Sequence, residues 1–239
     1  MTHRPGHVDY HFDIMCPFAF HASRWIREVR DLTGLQIGWR FFSLETINRM
    51  PGKKYPWERE WSYGWSLLRI AAWLRREDMA LCDAWYARAG SALHLEGRKP
   101  HRPEVARELL GEIGIDPNVL DRAIADPTTH DEVRADHDRV VSAGGFGVPT
   151  MFFPDGQALY GPVLVQPPTG DRALALWDAF TAVLDFPEVY EIHRPRGTPQ
   201  QQDIADALAV YLQARDWISI DRGEVITFNP PTTSSGARP

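Results

Sequence analysis

The chain has few cysteines and no long apolar segment, and each scarcity excludes a class of protein. Its 239 residues include two cysteines, Cys16 and Cys82, which is too few for a scaffold held together by disulfides. No stretch has the uninterrupted apolar length of a membrane span, and the first residues lack the apolar core of a signal peptide. We therefore expect a cytoplasmic protein without a membrane partner, in which a Cys16–Cys82 disulfide is the less favoured state.

Lysine is also scarce, and basic residues are fewer than acidic ones. The formal net charge is −6 at pH 7, and only three of the 26 basic residues are lysine (Lys53, Lys54 and Lys99). The arginines are scattered rather than clustered, so this bias indicates a GC-rich genome rather than phosphate recognition. Because nucleic acids bind to basic surfaces, we expect no nucleic-acid partner.

The spacing of apolar residues predicts an α/β fold in the order β-α-β, a block of helices, and then α-β-β-α. Helices on both faces of a short sheet would bury its apolar strands. Strands are predicted at 7–14, 35–44, 148–153 and 157–160, and helices at 17–33, 58–77, 79–93, 102–114, 117–125, 128–143 and 171–185. Beyond residue 196 the pattern predicts a helix over 199–215 and a hairpin over 217–228.

Cys16 is the residue best placed for chemistry, because it lies between the first predicted strand and the first predicted helix. The unpaired N–H groups of a helix N-terminus favour a thiolate over a thiol. His21 and Arg24, in the next two turns, could add positive charge. The alternative is an inert, buried cysteine that serves as a small apolar residue.

Four short motifs point to one family. Residues 12–19 (FDIMCPFA) resemble the active-site stretch F-D-x-x-C-P-W/F-C of DsbA-like thioredoxin-fold proteins. Residues 147–150 (GVPT) resemble the loop of that family in which a cis-proline faces the active cysteine. Residues 160–164 (YGPVL) and 23–26 (SRWI) are similar to its mycothiol-dependent reductase (FrnE-like) branch. The resemblance covers about residues 7–196.

This resemblance implies a thioredoxin fold with an inserted all-helical domain and a C-terminal helix-hairpin extension. Its two halves would be residues 1–57 and 127–196, the insertion 58–126, and the extension 197–239 with about the last ten residues disordered. The catalytic residue would be Cys16. The residues of the motif and of the thiol-docking loop would be Pro17, Phe18, Ala19, Val148 and Pro149.

One departure from the family pattern determines the expected mechanism. Ala19 stands where the family has its second, resolving cysteine, so no thiol at that position can release a mixed disulfide. Cys82, among apolar neighbours on a predicted helix, is interpreted as a packing residue. We expect a monothiol oxidoreductase of actinobacterial type with no tightly bound cofactor. Its co-substrate would be a low-molecular-weight thiol, mycothiol or glutathione, and its substrate a disulfide or an electrophile.

Several other residues are weaker candidates. His94, Trp65 and Arg69 resemble residues near the site of related reductases and are predicted to line the cleft, although capping, packing or a helix-surface stack are alternatives. His130 and His137 lie among aspartates, but their spacing is poor for a metal, so we interpret them as a solvated face and expect no metal.

Two other functions stay open at this stage. Kappa-class glutathione transferases and chromene-carboxylate isomerases share the architecture and need no resolving cysteine, which suits Ala19, but they usually carry serine at the position of Cys16. A protein that has lost catalysis and only binds a ligand or partner is the third. The sequence also leaves a homodimer open, since four aromatic residues could form either a dimer face or a substrate wall: Tyr55, Trp57, Trp61 and Trp65.

Overall fold

The fold is built on a four-stranded sheet in the order β2-β1-β3-β4, in a computed structural model that describes residues 4–216. The strands are β1 (His7–Phe12), β2 (Gln36–Phe41), β3 (Thr150–Phe152) and β4 (Ala158–Tyr160). β1 pairs with β2 in parallel, whereas β3 is antiparallel to β1 and β4 is antiparallel to β3. The predicted hairpin over 217–228 and the predicted disordered end lie outside the described residues.

Helix α1 (Pro17–Thr33) connects the two parallel strands, as its pattern predicted. A proline at its first position costs no hydrogen bond. Trp25, Ile26 and Val29 form its buried face. The helix ends at Gly34, whose φ of 77° suits glycine and whose N–H donates to the Arg30 carbonyl.

Five longer helices follow a short turn of helix, and one of them begins later than predicted. The predicted helix over 58–77 is wrong at its start: it begins at residue 63, and residues 56–58 form a separate 3₁₀ turn. The chain is extended at Arg59 and Ser62, so helical hydrogen bonding is interrupted between the two. The helices are α2 (Leu44–Ile47), α3 (Tyr63–Glu77), α4 (Met79–His94), α5 (Pro103–Glu112), α6 (Val119–Ala125) and α7 (Thr128–Ser142).

Side chains alternate along β1 between the two faces of the sheet, and helices cover both faces. On one face, the Tyr10 hydroxyl donates to the Ala19 carbonyl of α1 at 2.7 Å. On the other, the Asp9 carboxylate accepts from Arg139 of α7 at 2.5 Å. Helix α8 (Gly170–Thr181) packs against α1, where Trp25 donates to a backbone carbonyl of α8 at 3.0 Å. The predicted α/β fold is confirmed, while the proposed domain boundaries stay a prediction.

The C-terminal extension is helical and lies against α4. It forms α9 (Thr198–Ala207) and α10 (Ala209–Ala214), so the single helix predicted over 199–215 is wrong in one respect: it breaks at Leu208. Just after α10, Asp216 accepts hydrogen bonds from Lys99 at 2.9 Å and Arg102 at 2.9 Å, and also pairs with His101. These ion pairs attach the extension to the helical block. Among residues 4–216, no helix is long and apolar enough to cross a membrane.

Candidate active site

The two halves of the sheet meet at the sulfur of Cys16. Cys16 is the N-cap of α1, and its Sγ accepts the Ala19 N–H at 3.4 Å. The same Sγ donates to the Val148 carbonyl at 3.6 Å, across 132 residues of sequence. The Val148–Pro149 peptide is cis, as the motif predicted. In the first turn of α1, Pro17 and Ala19 are buried, and Phe18 between them is half-buried. A sulfur nucleophile at this position has one backbone donor and one backbone acceptor within reach.

The Cys16 thiol is held in its neutral form. Its side chain is only 5% exposed, and burial raises the pKa of Cys16 to about 12, against the opposing effect of the Ala19 N–H. His21 supplies no positive charge, since burial lowers its pKa to about 4, and Arg24 is exposed. The predicted thiolate is therefore wrong for the covered site, because lost solvation outweighs the helix terminus.

Asp13 organises the loop that carries Cys16. One carboxylate oxygen accepts the Met15 N–H at 2.9 Å and the other accepts the Leu44 N–H at 2.7 Å. Burial raises the pKa of Asp13 to about 6, and its charge adds to the raised pKa of Cys16. The aspartate of the FD motif was the available sequence signal for this residue, which is absent from the predicted site residues.

His94 lies beside the same loop from the helical block. Its Nε2 is 2.8 Å from the Ile14 carbonyl, so the ring donates there and carries its proton on Nε2. Burial lowers the pKa of His94 to about 3, which keeps the ring neutral. The ring stacks between Phe20, at 4.9 Å between centroids, and Tyr211, at 5.1 Å. His94 therefore supports the residues that precede Cys16.

Two tyrosines complete the surroundings of Cys16. Burial raises the pKa of Tyr211 of α10 to about 12, with a smaller contribution from the charge of Cys16, and the Tyr211 ring lies 5.1 Å from that of His94. Tyr160 at the end of β4 also has its pKa raised by burial and then by Cys16. Tyr211 lies beyond the family resemblance, so no sequence signal indicated it.

Arg69 and Trp65 do not line this cleft. Arg69 is buried, and it donates to the Thr129 hydroxyl at 2.8 Å and to the carbonyls of Ala123, Ile124 and Asp126. Its predicted place in the cleft is wrong, because its donors join α6 to α7. Trp65 is buried and donates its indole N–H to His130 Nδ1 at 2.7 Å, lining a different cavity.

Of the remaining predictions, that for Cys82 agrees with the structure and that for His130 and His137 does not. Cys82 is free and fully buried in α4, as a packing residue would be, and Cys16 is also free. The solvated face predicted for His130 and His137 is wrong: His137 is buried and accepts the Ser43 N–H at 3.2 Å on Nδ1, and His130 is half-buried. No metal-binding cluster occurs among the described residues.

Comparison with known proteins identifies the family. A family model described as Rv2466c-like, mycothiol-dependent nitroreductase Rv2466c, matches residues 15–194. The chain belongs to this family. The uncharacterized protein Rv2286c of Mycobacterium tuberculosis is 58% identical over 219 residues, which are 92% of this chain and 95% of that relative. The DsbA-like, mycothiol-dependent branch expected from the motifs is confirmed.

Solved structures show the same fold. A 2-hydroxychromene-2-carboxylate isomerase aligns with a TM-score of 0.54 at 17% identity, over 74% of this chain and 96% of its own. The cytosolic disulfide reductase DsbM from Pseudomonas aeruginosa, determined with GSH, aligns with a TM-score of 0.52 at 18% identity, over 75% of this chain and 97% of its own. The predicted thioredoxin fold with a helical insertion is confirmed.

Proposed function

We propose that this protein is a cytoplasmic monothiol oxidoreductase in which Cys16 attacks a disulfide and a low-molecular-weight thiol releases it. The observation that carries the proposal is the position of the Cys16 sulfur between the Ala19 N–H and the Val148 carbonyl. An N–H group at the start of a helix stabilises a thiolate once it forms. A carbonyl beside the sulfur is an acceptor for the backbone or amide N–H of a thiol such as mycothiol.

The reaction needs two thiol–disulfide exchanges. The Cys16 thiolate attacks one sulfur of the substrate disulfide, forming a Cys16 mixed disulfide and expelling the other sulfur as a thiolate that takes up a proton. A second thiol, as its thiolate, then attacks the mixed disulfide at the sulfur bound to Cys16. It forms a new disulfide with that group and returns the Cys16 thiolate. Because residue 19 is alanine, the second thiol comes from solution.

Because the Cys16 thiol is buried at rest, the proposal requires that the cleft open before the thiol can react. The pKa of Cys16 is raised to about 12 chiefly by burial, and Tyr211 of α10 packs against His94 beside the loop that carries Cys16. Displacing α10 hydrates the sulfur and removes the largest cause of the raised pKa. The Ala19 N–H then acts without that opposition. The Cys16 thiol thus becomes reactive when the cleft opens to a substrate.

The wall beside the docking loop favours an apolar substrate. Phe146 is 67% exposed and its ring lies 4.8 Å from that of Tyr160. A side chain at Gly147 would meet the Tyr160 ring at 3.4 Å, so the loop lies directly against this ring. Exposed aromatic rings next to a nucleophile offer a stacking surface for a flat electrophile or for the apolar part of a disulfide.

A thiol-dependent transferase or isomerase is the second candidate, and Ala19 is the observation that favours it. Such an enzyme uses the bound thiol itself as nucleophile or cofactor and needs no resolving cysteine. Cys16 would then hold the thiol without bonding to it. The absence of any covalent adduct would distinguish this candidate from the first.

Intact-mass analysis tests the proposal. The reduced protein is exposed to mycothiol disulfide or glutathione disulfide at neutral pH, beside Cys16→Ser and the matched control Cys82→Ser. We expect one adduct in the parent and in Cys82→Ser, none in Cys16→Ser, and removal of the adduct by excess thiol. A parent that forms no adduct with either disulfide contradicts the monothiol mechanism and favours the alternative.

A further inference from the structure

A second cavity lies away from the Cys16 sulfur, between the chain that follows α2 and one face of α7. Its volume is about 400 Å³, which is within the range of small-molecule sites. Tyr55, Trp57 and Trp65 provide aromatic lining, and Arg134, His137 and Asp138 of α7 provide the polar lining. None of these residues belongs to the thiol site described above.

The aromatic side of the cavity is a set of rings in contact. Tyr55 and Trp57 stack at 4.4 Å between centroids and 13° between planes. Trp57 and Trp65 lie 5.4 Å apart at 57°. Trp65 is buried, whereas Trp57 is half-buried and Tyr55 is exposed. Successive rings at decreasing depth form a wall that fits a flat ligand.

Helix α7 presents donors to this wall. His130, Arg134 and His137 follow one another at intervals of four and three residues, so they share one face of the helix. The Nδ1 of His137 accepts the Ser43 N–H at 3.2 Å, so the neutral ring carries its proton on Nε2. Burial lowers the pKa of His137, which keeps this tautomer at neutral pH. His137 is therefore a fixed N–H donor on the cavity.

Arg134 supplies the positive charge of this cavity. Its guanidinium lies over the Trp57 ring at 4.5 Å from the centroid. Its Nε is buried without a hydrogen-bond partner, and no carboxylate of residues 4–216 forms an ion pair with it. A guanidinium held on an aromatic face with unused donors matches a carboxylate in shape and charge. Asp138 opposes an anion, but it is exposed, so water weakens this repulsion without removing it.

We propose that this cavity binds a small aromatic carboxylate, with its carboxylate on Arg134 and the Nε2–H of His137. Its ring is in edge contact with the aromatic residues, since Tyr55 and Arg134 cover the faces of Trp57. The class follows from the combination of a ring wall, an unpaired guanidinium and a neutral N–H donor. The site is independent of the thiol chemistry of Cys16, because no lining residue touches the sulfur.

Isothermal titration calorimetry on the full chain tests this assignment. The probes are 1-naphthoate, its neutral analogue 1-naphthamide, and inorganic phosphate as an anion without a ring. We expect 1-naphthoate to bind more tightly than either control. Arg134→Gln should weaken its binding about tenfold, the loss typical of one charge-assisted hydrogen bond. Asp138→Asn should strengthen it, and Arg172→Gln, the same charge change on exposed α8, should leave it unchanged.

Several results would overturn the proposal. They are no heat with millimolar 1-naphthoate, equal binding of 1-naphthamide, or parent-like binding in a folded Arg134→Gln. Loss of binding in Cys16→Ser would assign the ligand to the thiol cleft instead. Should Arg134→Gln unfold, Asp138→Asn decides the matter, since tighter binding of 1-naphthoate but not of 1-naphthamide by this variant requires an anion near residue 138, and unchanged binding contradicts the proposal.

Discussion

The surroundings of the two cysteines share burial and differ in almost everything else. Burial raises the pKa of Cys16 and of Cys82 to about 12 alike. Cys82 lies inside α4, where its backbone N–H already donates to the Asp78 carbonyl. Cys16 begins α1, where a helical N–H is free to point at its sulfur. Burial by itself therefore does not separate a reactive cysteine from a packing residue.

The covers of the two sulfurs differ as well. Cys82 lies on α4, which packs against α3 and β2, and it belongs to the continuous core. Cys16 belongs to the same core, and its loop contacts His94, whose ring lies 5.1 Å from that of Tyr211 of α10. Helix α10 is attached through its buried Ala214 and through ion pairs of Asp216 with Lys99, Arg102 and the buried His101. As an element near the end of the chain, α10 is expected to open at lower free energy than the centre of the core. Our proposal is that reactivity at Cys16 depends on this opening.

The largest expected effect comes from replacing each cysteine by serine. Cys16→Ser should abolish alkylation and disulfide exchange at small cost in stability, because a hydroxyl finds the Ala19 N–H and the Val148 carbonyl. Cys82→Ser should keep both reactions but lose about 1–3 kcal/mol of unfolding free energy, the cost of a hydroxyl in an apolar core. Intact mass and urea unfolding measure the two effects. Loss of disulfide exchange in a folded Cys82→Ser would show that Cys82 is more than a packing residue.

Restoring the second thiol should change how Cys16 is released. Ala19→Cys places a thiol one turn beyond Cys16, so we expect an intramolecular disulfide and a mixed disulfide that no longer accumulates. The parent keeps its mixed disulfide until a thiol is added. Rapid-quench mass analysis follows both species. A persistent mixed disulfide in Ala19→Cys would show that the two sulfurs do not meet.

Removing the cover should accelerate Cys16 alone. Tyr211→Ala hydrates the sulfur, so alkylation at neutral pH should rise several-fold while Cys82 stays unreactive. Tyr190→Ala is the matched control, since Tyr190 is 94% exposed. The measurement is the iodoacetamide rate followed by peptide mapping. An unchanged rate in Tyr211→Ala would mean that α10 does not limit access.

The smallest expected effect on reactivity comes from Asp13, where the change is in the pH dependence of stability. Its folded pKa of about 6 lies above the ordinary 3.8, so folding favours its protonated form. The parent therefore loses unfolding free energy as pH rises from about 4 through about 6, by up to about 3 kcal/mol from this group. Asp13→Asn removes that contribution. Urea unfolding across this pH range should give a smaller loss with rising pH for Asp13→Asn than for the parent.

Asp9→Asn provides the opposite control. Arg139 and Arg40 outweigh the burial that would raise it, and the pKa of Asp9 is lowered. Its stabilisation is present above the ordinary value of 3.8 and is lost as pH falls. Asp9→Asn should therefore weaken the acid-side loss of stability. The same slope in Asp13→Asn and the parent would show that Asp13 is not held above its ordinary pKa.

Local patterns along the chain were enough to predict the β1-α1-β2 unit, the position of Cys16 at the start of α1, and the loop of Val148 and Pro149. These features depend on contiguous residues, since strand and helix periods and capping act over a few positions. The family could be recognised for the same reason. The late start of α3 was missed because Trp61 donates its indole N–H to the distant His101 carbonyl at 2.9 Å, a contact that no local pattern shows.

The protonation state and the surroundings of the site depend on contacts that form only in the folded chain. The pKa of Cys16 follows from burial in the folded protein, where its sulfur contacts the carbonyl of Val148, 132 positions away. Arg69 lies outside the predicted cleft because its hydrogen-bond partners lie on α6 and α7. The tautomer of His137 is determined by the hydrogen bond from the Ser43 N–H. Solvation, charge and hydrogen bonding act through space between residues distant in sequence, so a pattern along the chain cannot fix them.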